Sequence, residues 1–167
     1  MGMSVTISAA TEQDAEQILK LQFLCYQNEA ELYGDYAIEP LTQTLDGLRA
    51  ELDPGCVLVA RLGDEVVGSV RASVDAEGTA RIVKLIVHPR LRRHGLGGRL
   101  LGAIEERLTA ERSAKRYRLF TGHRSEGSLR LSRKYGYAQV GVEAISRRQN
   151  LITLEKDAAG QAFVASA

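Results

Sequence analysis

The chain has 167 residues, 44% of them hydrophobic and 26% charged, with three Pro and two Cys. That is enough apolar material for one globular core, and no Pro/Gly/Ser-rich stretch, internal repeat or low-complexity tract marks a linker. No uninterrupted apolar run reaches about 18 residues and no basic-then-apolar leader pattern opens the chain, which argues against a membrane span and for a cytoplasmic protein.

Residues 4–8 (SVTIS) alternate as a strand does. Thr11 and Asp14 then have capping-box spacing, and 14–28 carries Ala15, Ile18, Leu19, Leu21, Phe23, Leu24 and Cys25, a pattern suited to a helix with a buried face. The aromatic and acidic segment 30–40 (AELYGDYAIEP) reads as a loop or short turn before a second helix over about 42–52. Strands are expected at 56–62 (CVLVARL) and 65–74 (EVVGSVRASV) around the Gly63-Asp64 turn, then at 79–87 (TARIVKLIV). A helix opens near Gly95 and runs to about Ala110, with Leu96, Leu100, Leu101, Ile104 and Leu108 at helical spacing. A strand at 116–121, a helix at 126–135 and strands at 138–145 and 151–155 complete a β-α-α-β-β-β-α-β-α-β-β order, a mixed α/β layout, with 158–167 as a frayed tail.

The net charge of +1 conceals an asymmetry: residues 1–77 hold 4 Lys/Arg against 14 Asp/Glu, and residues 78–167 hold 18 against 7. A basic half suits a phosphorylated cofactor, while an acidic half repels a phosphate backbone and suits a cationic acceptor. Cys25 and Cys56 fit neither a disulfide framework nor a zinc pattern, and read as reduced, buried thiols. His88, His94 and His123 are too scattered for a metal site, so no metal is expected.

The most specific segment is Val87-His88-Pro89-Arg90-Leu91-Arg92-Arg93-His94-Gly95-Leu96-Gly97-Gly98-Arg99, in which a strand stops, a basic loop follows and glycines open an apolar helix. The first N–H groups of a helix lack intrahelical partners and carry the positive end of its macrodipole, so this is an anion cradle. Gly95, Gly97 and Gly98 let the backbone approach the anion, and Arg92, Arg93 and Arg99 add charge-assisted hydrogen bonds. From Arg81 to Arg99 there are six Lys/Arg and no acidic residue. No GxxxxGK[ST] occurs, and the dinucleotide fingerprint fails because Leu100 stands where its third glycine would be.

Arg92-x-x-Gly95-x-Gly97 is similar to the (Q/R)xxGx(G/A) signature of the GNAT N-acetyltransferase superfamily, and lies between strand and helix as that signature does. Leu131-Ser132-Arg133-Lys134-Tyr135-Gly136-Tyr137 resembles the family's LYxKxGF helix ending. The resemblance covers about residues 4–157 as one domain. It implies an acyl-CoA N-acyltransferase fold, with a mixed, mostly antiparallel central sheet flanked by helices, and acetyl-CoA as co-substrate. It further implies that Leu85, Ile86 and Val87 pair with the pantetheine arm through their main chain, and that Arg92, Arg93, His94, Gly95, Leu96 and Gly97 wrap the pyrophosphate. Gly98 and Arg99 complete the wrap, and Ser125 faces the cofactor arm. In similar proteins the last two strands often pair between subunits, which implies a homodimer.

Two positions depart from the family pattern. Its thiolate-protonating Tyr is Ser132 here, a poor acid suited at most to hydrogen bonding. The strand position that often holds a Glu base is Val83, with the Lys84 side chain expected on the opposite side of the strand. The substitutes weighed are Glu39, as base or amine anchor, His123 just past a strand, and Tyr135. The leading expectation is direct transfer of acetyl to a small amine or protein N-terminus in a ternary complex, which positioning and oxyanion stabilisation can drive. The rival is a non-catalytic acyl-CoA-binding module. A nucleic-acid binder is disfavoured because the basic segment has no interleaved aromatics, and no membrane partner is expected.

Overall fold

The computed structural model describes residues 4–52 and 56–158. Seven strands form one sheet, β1 (Val5–Ala9), β2 (Cys56–Leu62), β3 (Glu65–Val74), β4 (Thr79–Val87), β5 (Arg116–Gly122), β6 (Ala138–Ala144) and β7 (Asn150–Asp157), in the order β1-β2-β3-β4-β5-β7-β6. The helices are α1 (Ala15–Tyr33), α2 (Glu39–Thr42), α3 (Leu45–Leu52), α4 (Leu96–Arg112) and α5 (Glu126–Lys134). This is the expected mixed α/β fold with a mostly antiparallel sheet flanked by helices. The chain divides into two compact units, one of Met1–Arg71 and Lys84–Ile104, the other of Ala72–Val83 and Glu105–Ala167.

In the first unit, β1 runs antiparallel to β2 from Val5 opposite Leu62 to Ala9 opposite Leu58. The apolar stripe of α1, Ala15, Ile18, Leu21 and Cys25, packs on Leu48 of α3, Val57 and Val59 of β2, Val66 of β3 and Ile86 of β4. Spacings of three and four put those α1 side chains on one helix face. The start of α1 is fixed by Asp14, whose carboxylate accepts the Thr11 N–H at 2.8 Å and is gripped by Arg61 at 2.5 and 2.6 Å. Burial alone would raise the Asp14 pKa, but the Arg61 and Thr11 hydrogen bonds outweigh it and hold the carboxyl below its ordinary value. The helix α4 sits on the sheet at Gly68, where a Cβ would lie 2.9 Å from Leu100 Cδ1 and 3.2 Å from the Ile86 carbonyl. Only glycine permits this approach, and it fixes where the α4 N-terminus emerges.

Two sequence expectations change here. The helix expected over 14–28 continues to Tyr33, because Ala30 and Tyr33 bury on the same face and the first residue suited to a left-handed stop is Gly34, at φ 66°. The expected second helix over 42–52 is two pieces: Gln43 is extended (ψ 136°) and interrupts it, and the Thr44 hydroxyl then accepts the Gly47 N–H at 3.0 Å to start α3.

In the second unit, β4 pairs in parallel with β5 from Thr79 opposite Arg116 to Ile82 opposite Leu119, four residues of its nine. β5 pairs antiparallel with β7, and β7 with β6, across a bulge between Gln139 and Gly141. Glu105 of α4 ties this unit together, accepting from Tyr137 Oη at 2.6 Å and from Lys156 Nζ at 2.9 Å. The expected tail, 158–167, lies outside the described residues except for Ala158, which is buried with its N–H on the Lys115 carbonyl at 2.9 Å.

Candidate functional site

A short helical turn, Pro89–Leu91, separates β4 from the glycine segment. The His88 imidazole Nδ1 accepts the Arg90 N–H at 3.2 Å and starts that turn, and Leu91 is buried and anchors it. Two left-handed residues follow, Arg93 at φ 71° and Gly95 at φ 76°. Left-handed residues set close together are the backbone from which anion-binding turns of N–H groups are built. A Cβ on Gly95 would meet nothing within 4 Å, so the space beside it is open. Immediately afterwards α4 begins. Its first turn has no acidic residue, and the N–H groups of Leu96, Gly97 and Gly98 precede the first intrahelical donor of the segment, Arg99, which reaches the Gly95 carbonyl at 3.1 Å.

Arg92, Arg93, His94 and Gly95 are exposed, while Leu96 and Gly98 are buried. The segment therefore presents polar groups outward from an apolar base. This fits a pyrophosphate: backbone donors and a helix N-terminus lie beside the exposed Arg92 and Arg93 with no carboxylate in the segment, while Arg99 donates to the Val5 carbonyl at 3.1 Å. Arg92 also leans back on α1. Burial pushes the Cys25 thiol up to about 11 although the Arg92 guanidinium beside it pulls the other way, so the thiol stays protonated at neutral pH. Cys25 Sγ donates to the Val87 carbonyl at 3.4 Å. Of the other strand-end positions expected to meet the pantetheine arm, Ile86 is buried against α1 and Leu85 is half-buried.

A second polar cluster in the same unit was not foreseen. Arg71 of β3, only 4% exposed, donates to Gln22 Oε1 at 2.5 Å, Glu51 Oε2 at 2.8 Å and Gln43 Oε1 at 3.3 Å. Gln22 in turn donates to the Pro40 carbonyl at 2.8 Å and to Gln43 at 2.9 Å, and Gln43 donates to Glu51 at 2.6 Å. Burial pushes the Arg71 pKa down and Glu51 opposes this. The guanidinium stays charged, with its Nε buried and lacking a partner among the described residues. Tyr26 borders the same cluster, and burial raises its hydroxyl pKa well above the ordinary value.

Lys84 of β4 enters this cluster. Its backbone is left-handed, at φ 51°, a local irregularity inside the continuous strand β4. Nζ lies 2.7 Å from Glu39 Oε1, 3.4 Å from Gln43 Oε1 and 3.9 Å from Glu51 Oε1. Glu39, expected as a base or amine anchor, is therefore ion-paired to Lys84. The sequence held a signal for this cluster: Gln22 lies on the apolar stripe of α1 and Arg71 inside an otherwise apolar strand, each a polar residue at a buried position.

The second unit holds the remaining candidates. Ser132 is 5% exposed and its hydroxyl donates to the Ser128 carbonyl one turn back at 2.8 Å, so its proton is committed to its own helix. His123 is exposed and closes the end of the β5–β7 pair: its N–H reaches the Asn150 carbonyl and its Nδ1 accepts the Asn150 N–H, both at 2.9 Å. These contacts make His123 a loop cap on Asn150. Ser125 is buried before α5, with its carbonyl accepting the Leu129 N–H at 3.1 Å. Tyr135 follows α5, half-buried, with its carbonyl accepting from Lys156 Nζ at 2.9 Å. Among the described residues there is no group of three or more His, Cys, Asp or Glu placed to hold a metal, and no helix is long and apolar enough to cross a membrane.

Residues 15–137 match the model of the acetyltransferase (GNAT) family. Among solved structures, the chain is similar to a PaiA N-acetyltransferase from Thermoplasma acidophilum in complex with coenzyme A (TM-score 0.76, 17% identity, 93% of this chain and 99% of that one). It is also similar to YncA from Salmonella typhimurium with its cofactor acetyl-CoA (TM-score 0.75, 18% identity, 92% and 94%). A third likeness is to a ribosomal-protein-alanine N-acetyltransferase from Brucella melitensis (TM-score 0.72, 23% identity, 91% and 99%). No curated protein matches the sequence.

Proposed function

The chain belongs to the acetyltransferase (GNAT) family, and on that premise we propose that it transfers an acetyl group from acetyl-CoA to the amine of a small acceptor. The observation that carries this is the curled segment Arg92–Gly95 feeding the first turn of α4, with backbone donors and three arginines and no carboxylate. Acetyl-CoA supplies the activated acetyl group, which the neutral amine accepts as the new C–N bond forms and the C–S bond breaks, and the proton lost from nitrogen balances the departing thiolate as the amide and the CoA thiol form. The chain's own part is to hold and orient. Arg92 to Arg99 grip the pyrophosphate, and the end of β4 offers main-chain groups to the pantetheine arm.

At the position of the family's motif Tyr stands Ser132, which spends its proton on the Ser128 carbonyl. The thiolate tolerates this, because a thiol pKa of about 8.5 makes it a serviceable leaving group near neutral pH. Catalysis by positioning and electrostatics is then sufficient in kind.

Gly97→Asp tests the reading by placing a carboxylate in the first turn of α4. Calorimetry with acetyl-CoA should show affinity reduced by about a hundredfold or more, from charge repulsion added to lost donors. Thiol release against a panel of amines should disappear with it. Binding within about twofold of the parent protein would contradict the cradle assignment.

A further inference from the structure

Lys84 stands in an unusual position for a cation. Its side chain is 13% exposed, while the carboxylate that pairs with it most closely, Glu39, is 61% exposed and sits on the four-residue helix α2. A buried ammonium requires an anion, whereas an exposed carboxylate loses little on returning to water. The two carboxylates near Lys84 also differ in attachment. Glu51 is held by Arg71 at 2.8 Å and by Gln43 at 2.6 Å, and lies 3.9 Å from Nζ. Glu39 has Lys84 as its one ion-pair partner among the described residues. The cluster therefore keeps its cations fixed and inside, and leaves one anion detachable and outside.

We propose that the acceptor carries a carboxylate within a few bonds of its amine, and that this carboxylate replaces Glu39 on Lys84. The substrate class is thus an amino acid or a similar amino-carboxylate. The proposal rests on the acetyl-transfer reading above. Exchange of one carboxylate for another leaves the ammonium paired throughout. A cationic acceptor docked on Glu39 would instead compete with Lys84 for it and lie beside a second positive charge, with Arg71 behind. The acidic first half of the sequence suggested a cationic acceptor. The local arrangement favours the opposite sign, because the acidic residue nearest Lys84 is already neutralised by it.

The test pairs amino acids with their amides and their decarboxylated amines in a thiol-release assay with acetyl-CoA. At least one amino acid should exceed both of its counterparts by about tenfold or more in kcat/KM, the scale of one charge-assisted contact. Lys84→Met should abolish that gap through KM rather than kcat, Lys84→Arg should restore part of it, and Glu39→Gln should lower KM for the acid by removing its competitor. Best turnover of the decarboxylated amines, or a gap that survives Lys84→Met, would overturn the proposal. A binding measurement decides it independently of turnover: CoA-loaded protein should bind amino acids from the panel about tenfold more tightly than CoA-loaded Lys84→Met does, and equal binding overturns it. Acetyl-CoA binding without thiol release to any amine would overturn the acetyl-transfer reading itself, with Lys84 still judged by that binding difference.

Discussion

The cradle at 92–99 and the cluster around Arg71 lie in the same unit and both use arginine, yet they are built by opposite means. The cradle uses backbone: two left-handed residues, the first N–H groups of α4, and arginines that remain in solvent. The cluster uses side chains from α1, α2, α3, β3 and β4, converging on a guanidinium that is almost wholly buried. The contrast teaches where each can fail. A backbone site survives loss of a side chain and fails when a glycine goes, whereas a buried side-chain site fails with its central charge.

Arg71→Met should show the largest effect. Removing the guanidinium leaves Glu51, Gln22 and Gln43 without their shared donor, and losing one partner of a buried ionic network costs about 3–5 kcal/mol. Denaturant unfolding should report it, and a loss below about 1 kcal/mol would mean that the cluster is no keystone of the fold.

Gly95→Val and Arg92→Ala form the matched pair for the cradle. Gly95→Val must force a β-branched residue to φ 76° and should reduce acetyl-CoA affinity more than Arg92→Ala, which should cost about 1–2 kcal/mol of binding. Calorimetry that reversed the order would move the weight of recognition from backbone to side chain.

The smallest expected effect belongs to a charged pair apart from both regions. Asp14→Asn should cost about 1–2 kcal/mol at neutral pH by weakening the grip of Arg61. Because the folded state depresses the Asp14 pKa, that contribution is full above the unfolded value of about 3.9 and is lost as pH falls through the folded one. Unfolding curves of parent and variant should converge in that acidic window.

The same contrast explains what could be read in advance. The cradle is contiguous, so the spacing of Arg92, Gly95 and Gly97 announced it, and strands β2, β3 and β4 appeared with the ends expected because alternation and turn residues agree there. The cluster is assembled from residues 22, 39, 43, 51, 71 and 84, and one-dimensional spacing carries no trace of such a meeting. Gln22 and Arg71 were visible only as polar residues at apolar positions. The length of α1 was missed because the acidic and aromatic stretch to Tyr33 resembles a loop, although Gly34 offers the stop. The left-handed backbone at Lys84 was not legible, because such a residue within a strand has no sequence signature when it is not glycine.

The most direct test of the central claim is an amide NMR titration of the protein with acetyl-CoA. If the backbone of the α4 entrance holds the pyrophosphate, the N–H signals of Gly95, Leu96, Gly97, Gly98 and Arg99 should move most, and Gly97→Asp should silence them. Saturable binding that leaves those five amides unmoved would contradict the account.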